Sequence, residues 1–320
     1  MRKLPLHEEA QKASTALVIG GGGGDFILGL PVINYLRSLG VKNFYLGSLC
    51  VQWWAKEGYI AIGPDVYSIN NLHDAEIVQP AAAILNDKTR LKTHLFEGTP
   101  VEPKIASLVN AVPFEVSLEL GVEGLAESLN NLADRVAADI AVAVDCGGDS
   151  IVSNNARIPP LTPLHDWALL AALEKINVPN YLALTGYGCD GELSIEDLNN
   201  MIANVFRKGG LLGSYAITTF DLELLKKAFN IHFDPVDTLV LKAAVGDFGQ
   251  YRILGFRIVD VTPLAALILF LDPHIVCDDG PASKLKETRS ISEIEKKIKL
   301  MGYIPETNFV HYQKLYRNGD

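Results

Sequence analysis

Residues 14–40 read STALVIGGGGGDFILGLPVINYLRSLG, and this stretch decides the class of fold. Residues 14–19 form a largely apolar run that ends at five consecutive glycines, and residues 26–39 then carry apolar side chains at helical spacing. Because a strand that is buried on both faces has a continuous apolar sequence, residues 14–19 predict a central strand of a parallel sheet. The stretch therefore predicts a strand and a helix that are joined by a glycine loop.

The rest of the chain repeats this alternation of strand and helix. Further strands are predicted at residues 42–46, 140–144, 181–185 and 213–218, and helices at residues 124–137, 163–175, 194–208, 221–229, 237–245 and 292–301. Residues 63–102 predict at most short strands or turns, residues 252–261 predict a strand or hairpin, and Thr262-Pro263-Leu264 predicts the start of another helix. This order is typical of an α/β fold with a doubly wound, mostly parallel sheet and helices on both faces, a Rossmann-like three-layer arrangement.

Composition narrows the domain organisation and the classes of function. No linker rich in Pro, Ser or Gly divides the chain, so we expect an N-terminal extension over residues 1–13 and a single domain over residues 14–320. Lys and Arg number 28 against 38 Asp and Glu, a net charge of −10, which argues against nucleic acid as a partner. Residues 1–12 lack the apolar core of a signal peptide, and the longest nearly apolar stretch is too short to span a bilayer. We therefore expect a cytoplasmic protein with reduced cysteines and no membrane partner.

Three of the predicted strands end in glycines with acidic residues close by. Only glycine tolerates positive φ angles freely and lets backbone N–H groups come close to a ligand. In an open parallel sheet, the loops at the carboxyl ends of the strands meet at one edge, where ligands bind. We therefore predict a ligand site made of three loops: Gly20, Gly21, Gly22, Gly23, Gly24 and Asp25 in the first; Asp145, Gly147, Gly148, Asp149 and Ser150 in the second; and Gly188, Asp190, Gly191 and Glu192 in the third.

The first loop is suited to an anion. A strand that enters a helix through glycines presents N–H groups and the positive end of the helix dipole. The alternative is a tight turn in which Asp25 caps the helix. The loop lacks the Lys and Ser/Thr of a Walker A motif, Phe26 stands where G-x-G-x-x-G requires glycine, and residues 47–50 provide no acid for a ribose hydroxyl. A conventional NAD site is therefore disfavoured, and a small anionic ligand of another kind is expected.

The second loop places two carboxylates and a hydroxyl around a glycine pair. Asp145 and Asp149 could hold Mg²⁺ together with substrate phosphates, bind sugar hydroxyls or act as general bases, and a turn or cap role for Asp149 is the alternative. In the third loop, Asp190-Gly191 is also a common turn pair, so binding and turn formation are both open.

Three other features bear on chemistry. His165 and Asp166 lie in the first turn of a predicted helix at the same edge, where a His–Asp pair could do acid–base work. Adjacent residues of a helix point in different directions, which argues against the pair and favours Asp166 alone as the candidate catalytic residue. Trp53 and Trp54 could stack on a ring or pack under a loop. The sequence has no H-x-x-x-H or Cys/His cluster and no G-x-S-x-G elbow, which disfavours a zinc site and a hydrolase triad.

The combination of motifs resembles the largely archaeal family catalogued as domain of unknown function 1152. The resemblance is carried by residues 18–25, residues 145–150, Thr162-Pro163-Leu164-His165-Asp166, residues 188–192 and the segment from Val261 to Pro273. His165 departs from the smaller residue expected beside the Pro-Leu pair. The resemblance implies a single domain and supports the choice of loops, and it implies no reaction.

The leading hypothesis from the sequence is an enzyme that acts on a phosphorylated or nucleotide-like small molecule. The candidate catalytic residues are Asp145, Asp149 and Asp166, and Asp190 is a further candidate for metal binding or proton transfer. If Mg²⁺ is the cofactor, Asp145 and Asp149 are its candidate ligands. A non-catalytic metabolite sensor that uses the same loops is the alternative. A third hypothesis is a structural homo-oligomer whose glycines only permit close packing.

Overall fold

The computed structural model describes residues 3–22, 24–56, 60–154, 160–253 and 257–308. Its strands are β1 (Thr15–Gly20), β2 (Asn43–Leu49), β3 (Val51–Lys56), β4 (Ile60–Val66), β5 (Leu72–His73), β6 (Glu76–Val78), β7 (Ala82–Ile84), β8 (Arg90–Lys92), β9 (Glu97–Gly98), β10 (Val112–Val116), β11 (Ile140–Cys146), β12 (Asn180–Thr185), β13 (Leu211–Ala216), β14 (Gly249–Ile253), β15 (Arg257–Val261) and β16 (Leu267–Leu271). Its α-helices are α1 (Leu6–Ala10), α2 (Asp25–Ser38), α3 (Glu102–Ser107), α4 (Gly121–Val136), α5 (Pro163–Leu173), α6 (Ile195–Arg207), α7 (Thr219–Ile231), α8 (Leu239–Ala244), α9 (Pro273–Asp279) and α10 (Ile291–Leu300).

Nine strands form the main sheet, in the order β13-β16-β12-β11-β1-β2-β10-β7-β6. The five central strands, from β12 to β10, are parallel, and the flanking strands add to them in antiparallel pairs. The chain order reverses between β1 and β11, since β1 is followed by β2 on one side and β11 starts the other side. The predicted α/β class is confirmed, and the reversal creates the crevice at which such sheets bind ligands.

Strand β1 separates the two helical layers. Every residue of β1 is buried, and alternate side chains point to opposite faces. Leu17 and Ile19 pack in the core that contains α4 and α5, whereas Ala16 and Val18 pack in the core that contains α2 and α7. The predicted central position of this strand is therefore confirmed. The N-terminal α1 also buries Leu6 in the second of these cores.

The first half of the chain holds more strand than the sequence predicted. Strand β10 and helix α3 were not predicted. The strand was missed because Pro113 and Glu115 interrupt its apolar pattern. Strand β2 runs on to Leu49, so Gly47 and Ser48 lie inside the strand and not in a loop after it. Gly47 fits because the backbone of Phe114 on the neighbouring strand leaves no space for a Cβ.

The helix predicted at Thr262-Pro263-Leu264 is wrong. Pro263–Ala266 makes a single 3-10 turn, and Leu267–Leu271 then forms β16 between β12 and β13. The capping chemistry of Thr-Pro starts a turn, but the continuous apolar run that follows is buried more completely as a strand inside the sheet. In the parts of the chain that the structure describes, no helix has both the length and the apolar composition to cross a membrane.

Candidate functional site

The three glycine loops lie side by side at the carboxyl edge of the sheet. The backbone N–H of Gly21 donates to the carbonyl oxygen of Val144, which joins the first loop to the end of β11 (3.1 Å). The N–H of Gly147 donates to Thr185 at the end of β12 (3.0 Å), and the N–H of Gly188 donates to the carbonyl of Gly147 (2.8 Å). The parallel register of β1, β11 and β12 therefore brings together the loops that the sequence singled out.

The glycines of the first loop make room for acidic side chains from elsewhere in the chain. A Cβ at Gly21 would collide with Oδ1 of Asp166, and a Cβ at Gly24 would collide with Oδ2 of Asp237. Gly22 differs, because its nearest neighbours would lie 3.9 Å away. Gly23 lies outside the described residues. The close approach that the sequence assigned to a ligand is thus made, at Gly21 and Gly24, by carboxylates of the protein.

Three carboxylates from three elements meet beside this loop. Asp25 begins α2, Asp145 lies near the end of β11, and Asp166 lies in the first turn of α5. One oxygen from each residue lies within 4.8 Å of the other two. Among the described residues, Oδ1 of Asp145 and Oδ1 of Asp166 are buried and have no hydrogen-bond partner, whereas the second oxygen of Asp145 accepts from the hydroxyl of Ser150. We call Asp25, Asp145 and Asp166 the carboxylate group.

Negative charge in the carboxylate group is poorly solvated. Asp145 is only 2% exposed, and burial raises its pKa to about 6. Removal from water, followed by the charges of neighbouring carboxylates, raises the pKa of Asp25 and of Asp166 well above the usual range. Such a group is stabilised either by protons or by a cation. Oxygen ligands of this kind suit Mg²⁺.

A family comparison matches the part of the chain that contains this site. The model of a family described as "Protein of unknown function (DUF1152)" matches residues 17–313. The chain belongs to this family. The matched region contains all three loops and the whole carboxylate group. No curated protein and no solved structure matches the chain.

The second loop of this family member divides its carboxylates between two environments. Asp145 belongs to the carboxylate group, whereas Asp149 is buried next to it in a 3-10 turn, Asp149–Ile151. The backbone carbonyl of Asp149 accepts a hydrogen bond from the indole of Trp167 (3.0 Å). Burial, and then the charges of Asp166 and Asp145, raise the pKa of the Asp149 carboxyl well above its usual range. Asp149 thus lies beside the carboxylate group, and its side-chain hydrogen bond with Asp145 partly offsets the rise in the pKa of Asp145. It is not one of the three residues whose oxygens meet.

The third loop fixes the helix that carries Asp166. Glu192 accepts hydrogen bonds from the backbone N–H and the hydroxyl of Thr162, which precedes α5 (3.0 and 2.6 Å). Arg257 donates to the backbone carbonyl of Asp190 (2.6 Å) and lies 3.4 Å from Glu192. Gly147 has a φ of +105°, and its missing side chain leaves space for the carboxylate of Asp190. The contacts of Glu192 therefore assign it a positioning role.

His165 is held by a residue that the sequence did not single out. Its Nδ1 lies 3.1 Å from Oε1 of Glu306, which also accepts from the backbone N–H of His165 (3.2 Å). The other oxygen of Glu306 accepts from the N–H of Leu164 (2.7 Å). Glu306 thus caps α5 from the far end of the chain, and no local pattern around it predicts that contact. Trp53 and Trp54 lie in β3.

Proposed function

We propose that the chain is an enzyme that acts on a phosphorylated or nucleotide-like small molecule, which it binds through Mg²⁺ held by the carboxylate group. The observation that carries the proposal is a pair of buried oxygens, on Asp145 and Asp166 beside the first glycine loop, that have no hydrogen-bond partner in the part of the chain that the structure describes. An unpaired buried carboxylate is costly, so a cation is the natural partner of such a pair. The location at the reversal of strand order also favours a ligand site.

The charges around the loop favour an anion that binds together with a cation. The N–H of Gly22 already donates to the carboxylate of Asp25 (3.2 Å), and the carboxylate of Asp166 lies against Gly21. A phosphate without a cation would therefore meet negative charge at the N-terminus of α2. Mg²⁺ bound by carboxylates keeps free coordination positions for phosphate oxygens, and it would reverse the sign of the local field. The role of the glycine loop is then to admit both the carboxylates and the phosphate.

Asp149 is the residue best placed for proton transfer. Its carboxyl is buried next to Asp145 and Asp166, and burial together with their charges raises its pKa, so it holds a proton more tightly than an exposed aspartate and can donate that proton to a ligand. Asp25, Asp145 and Asp166 would bind the cation, and Gly22, where a Cβ would meet nothing closer than 3.9 Å, would line the phosphate position.

A thermal-shift panel of nucleotides and sugar phosphates, with and without Mg²⁺, tests the proposal. We expect at least one compound to raise Tm by at least about 2 °C only when Mg²⁺ is present. The variant Asp166→Asn removes the charge and should abolish that shift. Asp134→Asn is the matched control, because Asp134 is an exposed aspartate near the C-terminal end of α4, which leads into the start of β11 at the opposite edge of the sheet.

Turnover of a binding compound, followed by ³¹P NMR, separates an enzyme from the alternative of a metabolite sensor. Binding without any chemical change would favour the sensor. A panel with no Mg²⁺-dependent shift, or an equal shift in the Asp166→Asn protein, would refute the proposed site.

A further inference from the structure

A second set of ligand atoms includes Asp25. Cys146 follows Asp145 directly at the end of β11, and Asp237 lies in the turn before α8. One oxygen of Asp25, one oxygen of Asp237 and the Sγ of Cys146 all lie within 4.8 Å of one another. We call Asp25, Cys146 and Asp237 the thiol group. Asp25 belongs to this group and to the carboxylate group.

The two groups receive ligands from opposite faces of the sheet. Successive residues of a strand point to opposite faces, so Asp145 and Cys146 diverge at the end of β11. Cys146 packs in the core with α2 and α8, whereas Asp166 comes from α5 in the other layer. Asp25 stands at the edge of the sheet between the two layers, where it can serve both groups.

Asp237 is built into the site and has no other partner for one of its oxygens. Its side chain is 2% exposed, and Oδ2 has no hydrogen-bond partner among the described residues. The absence of a side chain at Gly24 is what admits this oxygen. Asp234 fixes the turn, because its Oδ1 accepts from the backbone N–H groups of Val236 (2.7 Å) and Asp237 (3.2 Å). A buried, fixed oxygen that lacks a partner requires an explanation, and a bound cation would supply one.

We propose that the thiol group binds a transition-metal ion, so that the site holds two cations bridged by the carboxylate of Asp25. A thiolate is a soft ligand that favours Zn²⁺ and other transition metals, whereas the all-oxygen carboxylate group suits Mg²⁺. The inference rests on the proposed function, which supplies the first cation. A second cation here would stabilise negative charge on the oxygens of a phosphate, as two-metal sites do in phosphatases and nucleases, so the phosphorylated ligand of the proposed function would be a phosphate ester.

Cobalt binding to the full-length, chelator-treated protein tests the second site. Co²⁺ bound to a thiolate gives a charge-transfer absorption band in the near ultraviolet, and Co²⁺ bound only to oxygen does not. We expect the band together with two bound ions per chain, counted by equilibrium dialysis. Cys146→Ala should lose the band and one ion, and Asp237→Asn should weaken the binding of the same ion. Cys277→Ala is the matched control, because Cys277 is also a buried thiol, on α9.

The outcomes separate this inference from the proposed function. Binding of Co²⁺ without the band in the wild-type protein would overturn the thiol site and leave the carboxylate site standing, and this result does not depend on the folding of any variant. A band that persists in Cys146→Ala would also overturn it. Absence of any bound Co²⁺ would overturn both sites.

Discussion

The carboxylate of Asp166 occupies the space that a side chain on Gly21 would fill. The backbone of Gly21 does not adopt a positive φ, so the glycine is required for space and not for conformation. An acidic side chain from α5 therefore rests directly on the loop that follows β1. This contact ties the glycine loop to the carboxylate group.

Gly21→Ala should impair the site without unfolding the protein. The new Cβ would push the carboxylate of Asp166 out of position, and we expect Mn²⁺ affinity to fall by at least about tenfold. Gly22→Ala is the matched control, because a Cβ there meets nothing closer than 3.9 Å. Calorimetric titration with Mn²⁺ measures both variants, and equal affinities would show that Asp166 is not a ligand.

Gly22→Asp should separate the cation from the phosphate. The added carboxylate would lie near Asp166 and occupy the place of the ligand's negative charge, while its oxygens remain compatible with a bound metal ion. We expect the Mg²⁺-dependent thermal shift by the best compound to disappear and Mn²⁺ affinity to be retained. Gly22→Asn controls for size. A shift that survives in Gly22→Asp would place the phosphate elsewhere.

Asp149→Asn should leave metal binding intact and reduce turnover. Asp149 is buried beside the carboxylate group but does not belong to it, and its contact with Trp167 uses the backbone carbonyl, which the variant keeps. Removing a general acid or base typically costs about 10²–10⁴-fold in rate. Equilibrium dialysis measures whether metal binding is retained, and ³¹P NMR measures whether turnover falls. Loss of a bound ion in this variant would instead show that Asp149 is a metal ligand, which is the role that the sequence pattern allows.

A buried acid pair, Glu102 at the start of α3 and Glu115 on β10, predicts an unusual dependence of stability on pH. Burial, and then the charge of Glu102, raise the pKa of Glu115 well above its usual value of 4.5, and burial also raises the pKa of Glu102. The folded state then binds protons more tightly than the unfolded state, so stability falls as pH rises from 4.5 through the raised pKa values. The metal-free protein should be more stable at about pH 5.5 than at about pH 8.

Glu115→Gln should flatten this decline in the free energy of unfolding, because a neutral amide has no proton to lose. Glu127→Gln, an exposed glutamate on α4, is the control and should leave the slope unchanged. Urea unfolding at a series of pH values measures both slopes. An equal decline in the wild-type and Glu115→Gln proteins would mean that the pair does not hold the extra proton.

The sequence predicted those parts of the fold and site that depend on local pattern. The apolar run before Gly20 predicted the central strand, and the glycines after it predicted the loops that meet at one edge. The thiol group was missed because Asp237 follows no predicted strand, and only the packing of α8 brings it to Gly24. The capping contact of Glu306 was missed because 141 residues separate it from His165.

Asp145→Asn gives the most direct test of the metal site, because Asp145, near the end of β11, has a buried oxygen with no hydrogen-bond partner among the residues that the structure describes. The measurement is a calorimetric titration of Mn²⁺ into the full-length protein and into this variant at the same pH and ionic strength. We predict saturable binding to the wild-type protein and a loss of at least about tenfold in affinity in the variant, with both proteins unfolding cooperatively. Unchanged Mn²⁺ affinity in Asp145→Asn, or no saturable binding to the wild-type protein, would contradict the metal site on which the proposed function depends.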